Sequence, residues 1–406
     1  MVSGLDERLR LLPPQWDVVP LGELRSVQLI GYGITRPGQH TEGGVGMIRA
    51  ADVQDGQLRS NEPRRIDPRV HEENPRSQLE AGDVVVVLVG RVGQAAVVTE
   101  EFRHWNTSRT VGIIRADEPG EAAWLRLWLG SPEVREWCAQ QATGSTLHRT
   151  LSLAALRTLP VPVPPVESRP ALLGAMRLLE AKESTNARIA ACATELVDGH
   201  FAMLAGRSGA WADRTIGALA ELHAGTSSRP RSDDVELPTQ QDIDFAAPAD
   251  ILQSEWPHLH ETEHHFAAAP KGALMCEPHS LLVASREDGV RAVMNKAPVI
   301  PGRGVLVLSP TSVTDALWLL HDIRLRSAEL AATAQGSAGR EISRRAFAAT
   351  EVRWPPYEVR EQFAQLADRL HERAYTALAE NRMLRVLRGR ILDSFLSGAF
   401  PRKSAS

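Results

Sequence analysis

His260-Glu261-Thr262-Glu263-His264 has the spacing of a metal-dependent hydrolase. Two histidines one helical turn apart can bind zinc from one face, with the intervening glutamate as general base. Glu287 is a nominal third ligand. The surroundings weigh against this chemistry. His258 and His265 make the stretch polar and histidine-rich rather than a buried apolar helix. Ala267 and Pro270 stand where the longer zinc-protease pattern requires glycine and histidine. Adventitious metal binding is the milder reading. Cys138, Cys192 and Cys276 are far apart in sequence. That excludes a disulfide framework and a cysteine-rich zinc site, and fits packed small residues in a reducing compartment.

The arginines offer a second chemistry, contact with phosphate or base edges. Of 46 basic residues only four are lysine, leaving 42 arginines. The guanidinium fork suits bidentate contact with guanine or phosphate, although codon bias in a GC-rich genome gives the same excess. The net charge of −4 does not mark a nucleic-acid binder, but the distribution of charge matters more than its sum. Arg36, Arg91, Arg109 and Arg149 lie beside glycine- or serine-rich turns, and Arg64, Arg65 and Arg69 form a second group. Arg229, Arg231, Arg286, Arg291, Arg340, Arg344 and Arg345 are the candidates in the second half. As groups they suit phosphate positioning better than base readout; a solvated surface arginine is the plain alternative for each. Tyr32 could stack on a base or serve a turn. Ser145 and Ser337, each after a glycine, could present backbone donors to phosphate or close a tight turn.

These residues sit in a chain that is written twice. Trp16 to Leu24 is echoed by Trp211 to Leu219, 195 residues later. Trp124-Leu125 pairs with Trp318-Leu319, Gly144-Ser145 with Gly336-Ser337, and Pro164-Pro165 with Pro355-Pro356. Such a length marks a duplicated domain rather than a solenoid unit. In the first copy Val84 to Val89 and Ala95 to Thr99 predict a core hairpin, and Val111 to Ile114 another strand. Trp124 to Trp137 predicts an amphipathic helix interrupted near Gly130-Ser131-Pro132. Pro160 to Pro165, four prolines in six residues, is an extended lead-in and neither helix nor central strand.

Each copy ends in a long helical pattern. Leu172, Met176, Leu179, Glu183, Asn186, Ala190, Ala193, Val197, His200 and Leu204 follow steps of four and three. So do Val359, Phe363, Leu366, Leu370, Arg373, Ala377, Glu380, Leu384, Leu387 and Ile391. That is a coiled-coil seam. Neither helix can bury its stripe alone, so the two are expected to pair antiparallel about a pseudo-twofold axis, with the polar positions meeting near the middle. Rods of roughly 55–60 Å follow from 1.5 Å per residue.

At this point the chain resembles a known family. Trp16 to Leu24 followed by Tyr32-Gly33-Ile34-Thr35 is similar to the opening of a target recognition domain. Such domains belong to the DNA specificity subunits of type I restriction–modification systems. Leu79 to Val86 with Gly90-Arg91-Val92-Gly93 resembles the family's central strand motif. Ala142 to Thr146 with Leu156 to Pro162 resembles its closing motif before the spacer helix. The second half departs from the pattern. No Tyr-Gly-Ile-Thr follows Leu219, and Pro278-His279-Ser280 replaces the glycine–aspartate turn.

The resemblance implies a mixed α/β (α+β) fold in two duplicated recognition domains, residues 1–166 and 208–356. Two long antiparallel spacer helices, residues 167–207 and 357–406, would join them with pseudo-twofold symmetry. It also implies a non-catalytic chain that recognises a bipartite target in double-stranded DNA. Such a chain positions two methyltransferase subunits and, in the full complex, restriction subunits. No cofactor is expected in the chain itself; S-adenosylmethionine, ATP and magnesium would belong to the partner subunits. Arg382, Arg385, Arg388 and Arg390 are candidates for docking the methyltransferases or the DNA backbone, or for helix C-terminal charge compensation. A methylation-only or related phage-defence complex is an alternative within the class, and a coiled-coil protein scaffold one outside it. The N-terminus carries no apolar signal core and no run approaches membrane-spanning length, so the expected location is the cytoplasm.

Overall fold

A computed structural model describes residues 4–54, 56–60, 62–144, 149–207, 211–227, 242–286, 289–332 and 342–400. The chain divides into two compact units, residues 1–179 with 387–406, and residues 180–386. The boundaries fall inside the two long helices, Arg169–Ala205 and Tyr357–Leu396. The mixed α/β class expected from the sequence is borne out.

In the first unit the strands are β1 (Asp17–Pro20), β2 (Val27–Tyr32), β3 (Val45–Ile48), β4 (Arg64–Ile66) and β5 (Val84–Val87). They continue with β6 (Ala95–Val97), β7 (Asn106–Thr107), β8 (Val111–Ala116) and β9 (Pro160–Val163). A four-stranded antiparallel sheet has the order β2-β8-β5-β6. A smaller sheet has the order β4-β3-β7, and β1 pairs with β9.

All four valines of β5 are buried, because successive side chains enter opposite faces and both faces are covered. Val84 and Val86 join Trp124, Trp128, Leu172 and Phe395; Val85 and Val87 join Ile48, Leu79 and Phe102. The expected helical segment is two helices, Pro119–Leu129 and Pro132–Gln141, broken at Gly130-Ser131. The proline run is extended, as expected, and forms a strand with a single strand partner. Its Pro160 and Pro162 carbonyls accept the indole N–H groups of Trp128 (2.9 Å) and Trp124 (3.0 Å).

In the second unit the strands are β10 (Ala212–Thr215), β11 (Ala220–Ala224), β12 (Ile243–Ala246), β13 (His264–Phe266) and β14 (Leu281–Arg286). They continue with β15 (Gly289–Met294), β16 (Val299–Pro301), β17 (Leu306–Pro310) and β18 (Glu351–Trp354). The sheets are β11-β17-β14-β15, β13-β12-β16 and β10-β18. Apart from a short hairpin in the first unit, Val53–Gln54 with Gln57–Leu58, which has no counterpart among the described residues of the second, this is the first unit's topology, including the one parallel pair in each small sheet, β3 with β7 and β12 with β16.

The repetition reaches single residues. Trp16 and Trp124 each pack on Phe395 in the first unit, while Trp211 and Phe201 each pack on Trp318 in the second. Arg169 pairs with Glu121 and donates to Pro164 O; Arg360 pairs with Asp315 and donates to Pro355 O. The motif found missing after Leu219 has a structural counterpart in Ala224-Gly225-Thr226-Ser227. Ile34 bridges Ser108 and Thr226 bridges Gly302, both parallel. The glycine persists because a Cβ on Gly33 would lie 2.2 Å from Thr107 O, and one on Gly225 2.0 Å from Gly302 O. Pro278-His279-Ser280 likewise keeps the turn of Gly82-Asp83. His279 adopts φ +70° where Gly82 has +95°, and its N–H donates to Asn295 O as Gly82 N–H donates to Val98 O.

Within the second unit the two long helices run antiparallel. Asn186 meets Glu380 and Asn381, Ala190 and Ala193 pack with Ala374 and Leu378, and Phe201 packs on Phe363. The expected seam holds on the first helix and shifts on the second. Leu366 and Leu387 are 40% and 45% exposed, and Ala364, Ala367, Ala374 and Leu378 are buried instead. The second helix also packs on the body of the unit, at Trp256 and His321, which rotates the face it buries.

Candidate nucleic-acid interface

Backbone bonds at one end of the first unit's central sheet bring several of the candidate arginines together. Arg109 N–H donates to Ile34 O, which ties Arg109 to the loop carrying Arg36. Gly90 N–H donates to Arg149 O, which ties the Gly90–Gly93 turn and its Arg91 to the segment before residue 150. Gly90 and Gly93 both need φ near +85°, a conformation that favours glycine. Arg36, Arg91 and Arg109 are exposed, and Arg149 is half-buried.

Arg64 and Arg65 lie on β4 and are spent on the neighbouring loop. Arg64 donates to Gly38 O (2.6 Å) and Arg65 to Gly44 O (2.9 Å). They hold the loop that begins at Arg36. Arg69 is exposed in the helix Pro68–Glu73, capped by Asp67. Tyr32 ends β2; its ring is half-exposed, and its Oη accepts from Leu153 N–H at 3.1 Å. That bond gives the tyrosine a structural task.

In the second unit Arg344 and Arg345 are exposed at the start of the helix Arg344–Ala348, and Arg291 is exposed on β15. Arg286 ends β14, with its side chain outside the described residues. Ser145, Arg229, Arg231, Ser337, Arg340 and Glu287 lie outside the described residues. Sequence reading missed Arg303, exposed between Gly302 and Gly304. The matched bridges place it where Arg109 lies in the first unit. The signal was present as an arginine flanked by glycines, but it emerges only once the strands are paired. Arg382 and Arg385, offered as docking residues, both pair with Glu261.

The metal-hydrolase pattern does not form its site. Residues 260–263 are not helical and His264 opens β13, so the two histidines do not share a helical face. Among the described residues no group of three or more histidine, cysteine, aspartate or glutamate side chains is arranged to hold a metal. Cys138 and Cys276 are buried, and burial pushes both thiols up to about 12; Cys192, expected to be packed, is exposed.

A different histidine group, unmarked in the sequence, lies inside the second unit. His321 Nδ1 donates to Asp198 Oδ1 (2.7 Å), a carboxylate also held by Arg324 at 2.7 Å. His321 Nε2 therefore accepts from His371 Nε2–H at 3.1 Å, and the His258 ring stands edge-on to His371, centroids 4.7 Å apart. Burial holds all three imidazoles neutral; that of His258 is lowered to about 3. An Asp–His–His chain can relay protons, but each of the three histidines is at most 3% exposed, which shuts substrate out. The group is a polar core.

No protein-family model matches the chain. Over 167 residues, 41% of its length, it is 29% identical to the specificity subunit of the type I restriction enzyme EcoBI of Escherichia coli. The match spans 35% of that relative, about a third of its length. In fold it is similar to the S subunit of a type I restriction–modification system from M. genitalium, with a TM-score of 0.50 and 14% identity. That likeness covers 96% of this chain and 97% of the other. In sequence over two fifths of its length, and in fold over nearly all of it, the chain is similar to the specificity subunits of type I restriction–modification systems.

Proposed function

We propose that this chain is a sequence-specific DNA-binding subunit that reads a two-part target, one part with each unit. The observation that carries the reading is the repetition of one strand topology with an exposed arginine at the same turn, Arg109 in one unit and Arg303 in the other. Loops on a rigid scaffold are where recognition concentrates. Arginines there suit phosphate positioning, with a minority reading base edges. A two-part site multiplies discrimination, at ~1–3 kcal/mol for each mismatched base pair.

The chain itself would supply no catalysis. Methyltransferase subunits would bring S-adenosylmethionine and the reaction, and restriction subunits ATP and magnesium. The exposed apolar residues Leu178, Leu196, Met203, Met383 and Val386 on the long helices are available to such partners. The domain limits 1–166, 167–207, 208–356 and 357–406 belong to this reading, as does a location in the cytoplasm beside the genome. Among the described residues no helix is long and apolar enough to cross a membrane.

The test is equilibrium binding of the full chain, with its methyltransferase, to a randomised duplex library at several salt concentrations. The reading expects enrichment of a split motif and affinity that falls steeply with salt. Binding without sequence preference, or none, would favour a protein scaffold.

A further inference from the structure

The second unit holds a cleft where the first unit is filled. In the first unit the paired row Val86–Gly112–Tyr32 crosses the central sheet; the matching row in the second is Val283–Leu306–Ala224. Leu88 and Leu153 close over Gly112 in the first unit. Continuing the two registers, Ser285 stands for Leu88 and Arg344 for Leu153. Ser152 and Ser343, matching N-caps whose Oγ atoms accept from Ala155 and Ala346 N–H, fix that alignment. Three large side chains, Tyr32, Leu88 and Leu153, thus become Ala224, Ser285 and Arg344. Leu306 for Gly112 and Phe347 for Leu156 return part of the volume, and Arg344, no smaller than a leucine, is exposed.

What remains is a cavity of about 320 Å³, floored by Val283, Val305 and Phe347 and edged by Ala224, Ser285 and Arg344. Val283, Val305 and Phe347 are buried and apolar. Ligand pockets run from roughly 300 to 1,000 Å³, so this one suits a single ring. Ser285 Oγ accepts from Ile342 N–H at 3.1 Å and keeps its own proton to donate. The occupant of the same place in the first unit is the phenol ring of Tyr32, hydrogen-bonded through its hydroxyl.

We propose that this cleft is a binding site for a small para-substituted phenol, its ring against Val283 and Phe347 and its hydroxyl at the rim between Ser285 and the backbone N–H of Arg344, which stands for that of Leu153. The cleft adjoins the candidate DNA contacts Arg344 and, through Gly304, Arg303, but phenol binding is read on the free chain and does not depend on DNA recognition.

The test is ¹⁹F NMR of 4-fluorophenol titrated with the full chain, with 4-methylphenol as competitor. Saturable, competed binding is expected, with Kd on the order of a millimolar for so few atoms. Ala224→Tyr, which restores the ring of the first unit, should weaken it at least about tenfold. Ser285→Leu should do the same from the opposite wall, should the tyrosine variant fail to fold. No binding to the native chain, or equal binding to whichever variant folds, would overturn the proposal. So would a cleft that ignores both phenols but binds a tyrosine-containing peptide, which would make it a protein contact.

Discussion

Asn186 and Asn381 meet across the antiparallel helix pair, the side-chain amide of Asn186 donating to Asn381 Oδ1 at 3.0 Å. They stand 195 residues apart in the chain, one on each of the two long helices. Asn381 donates in turn to Glu183 O (3.0 Å), Asn186 also donates to Glu380 (2.9 Å), and Lys182 pairs with Glu380. A polar pair of this kind, with Asn186 buried and Asn381 half-buried, specifies register, because a slip leaves the buried amide unpaired.

Asn186→Leu alone should therefore destabilise the chain by about 1–3 kcal/mol, the cost of leaving buried groups unsatisfied. The double variant Asn186→Leu/Asn381→Leu should recover much of that loss, since both partners leave together. Denaturant unfolding of the single and double variants measures the coupling. Strictly additive losses would show that the pair does not act as one unit.

The glycines at the matching position of the two units, Gly33 and Gly225, give a second expectation. Gly33→Ala and Gly225→Ala should each cost about 1–3 kcal/mol or more by overpacking against backbone, because the added carbon meets a carbonyl at 2.2 or 2.0 Å. Gly38→Ala, which meets nothing within 4 Å but sits at φ +72°, should cost only the left-handed penalty of about 1–2 kcal/mol. Thermal unfolding that ranked Gly38→Ala worst would contradict the close approach of the two backbones.

Phe395 completes the first unit's core from the far end of the chain, against Trp16 and Trp124. Phe395→Ala should lose about 3–5 kcal/mol. Hydrogen exchange should show the loss in β1 and the helix Pro119–Leu129. Exchange unchanged in those elements would mean that the contact contributes little.

The buried histidines make stability depend on pH. Their folded values lie below the unfolded value of about 6.5, lowered by burial in His258 (to about 3), His321 and His371. The unfolded chain then binds more protons, so stability is full above pH ~6.5 and is lost as pH falls from there towards 3. Burial also lowers His260, to about 4, which adds to this loss, and raises Asp322, to about 6, and Asp250, which oppose it below about 6; the lowered histidines outnumber the raised carboxylates. His258→Phe, whose ring nitrogens have no hydrogen-bond partner among the described residues, should remove one histidine's share of the slope, at most about 1.4 kcal/mol per pH unit. An unchanged slope between pH 4 and 6.5 would show that His258 is not buried as described.

Arg109→Ala and Arg303→Ala should each weaken DNA binding nearly uniformly across sequences and lower the salt slope by about 1. Loss of affinity without a change in salt slope would assign these arginines to the scaffold instead.

Much of this organisation was legible in the residues themselves. Trp16, Trp211, Trp124 and Trp318 announced the duplication because large aromatic anchors tolerate little change, and the valines of β5 announced a core strand. The polar break in the helices was legible as Asn186 and Glu380, and these do meet. The second helix's seam was misplaced at Leu366 and Arg373, because periodicity cannot tell a face that meets one neighbour from a face that meets two. Tyr32 and Ala224 share no chemistry, so their equivalence shows only in the strand register; the same holds for Gly82 and His279, and for Arg109 and Arg303. The His258, His321 and His371 group was hidden because its members come from three distant segments, while the contiguous histidines of 258–265 drew attention to a site that does not form.

The most direct test of the central claim is methylation sequencing of DNA from cells carrying the intact complex, compared with cells in which residues 1–166 are exchanged for those of a homologue. A split motif of which one half changes and the other stays is the expected result. A motif that is unaltered by the exchange, or continuous rather than split, would contradict the assignment of one half-site to each unit.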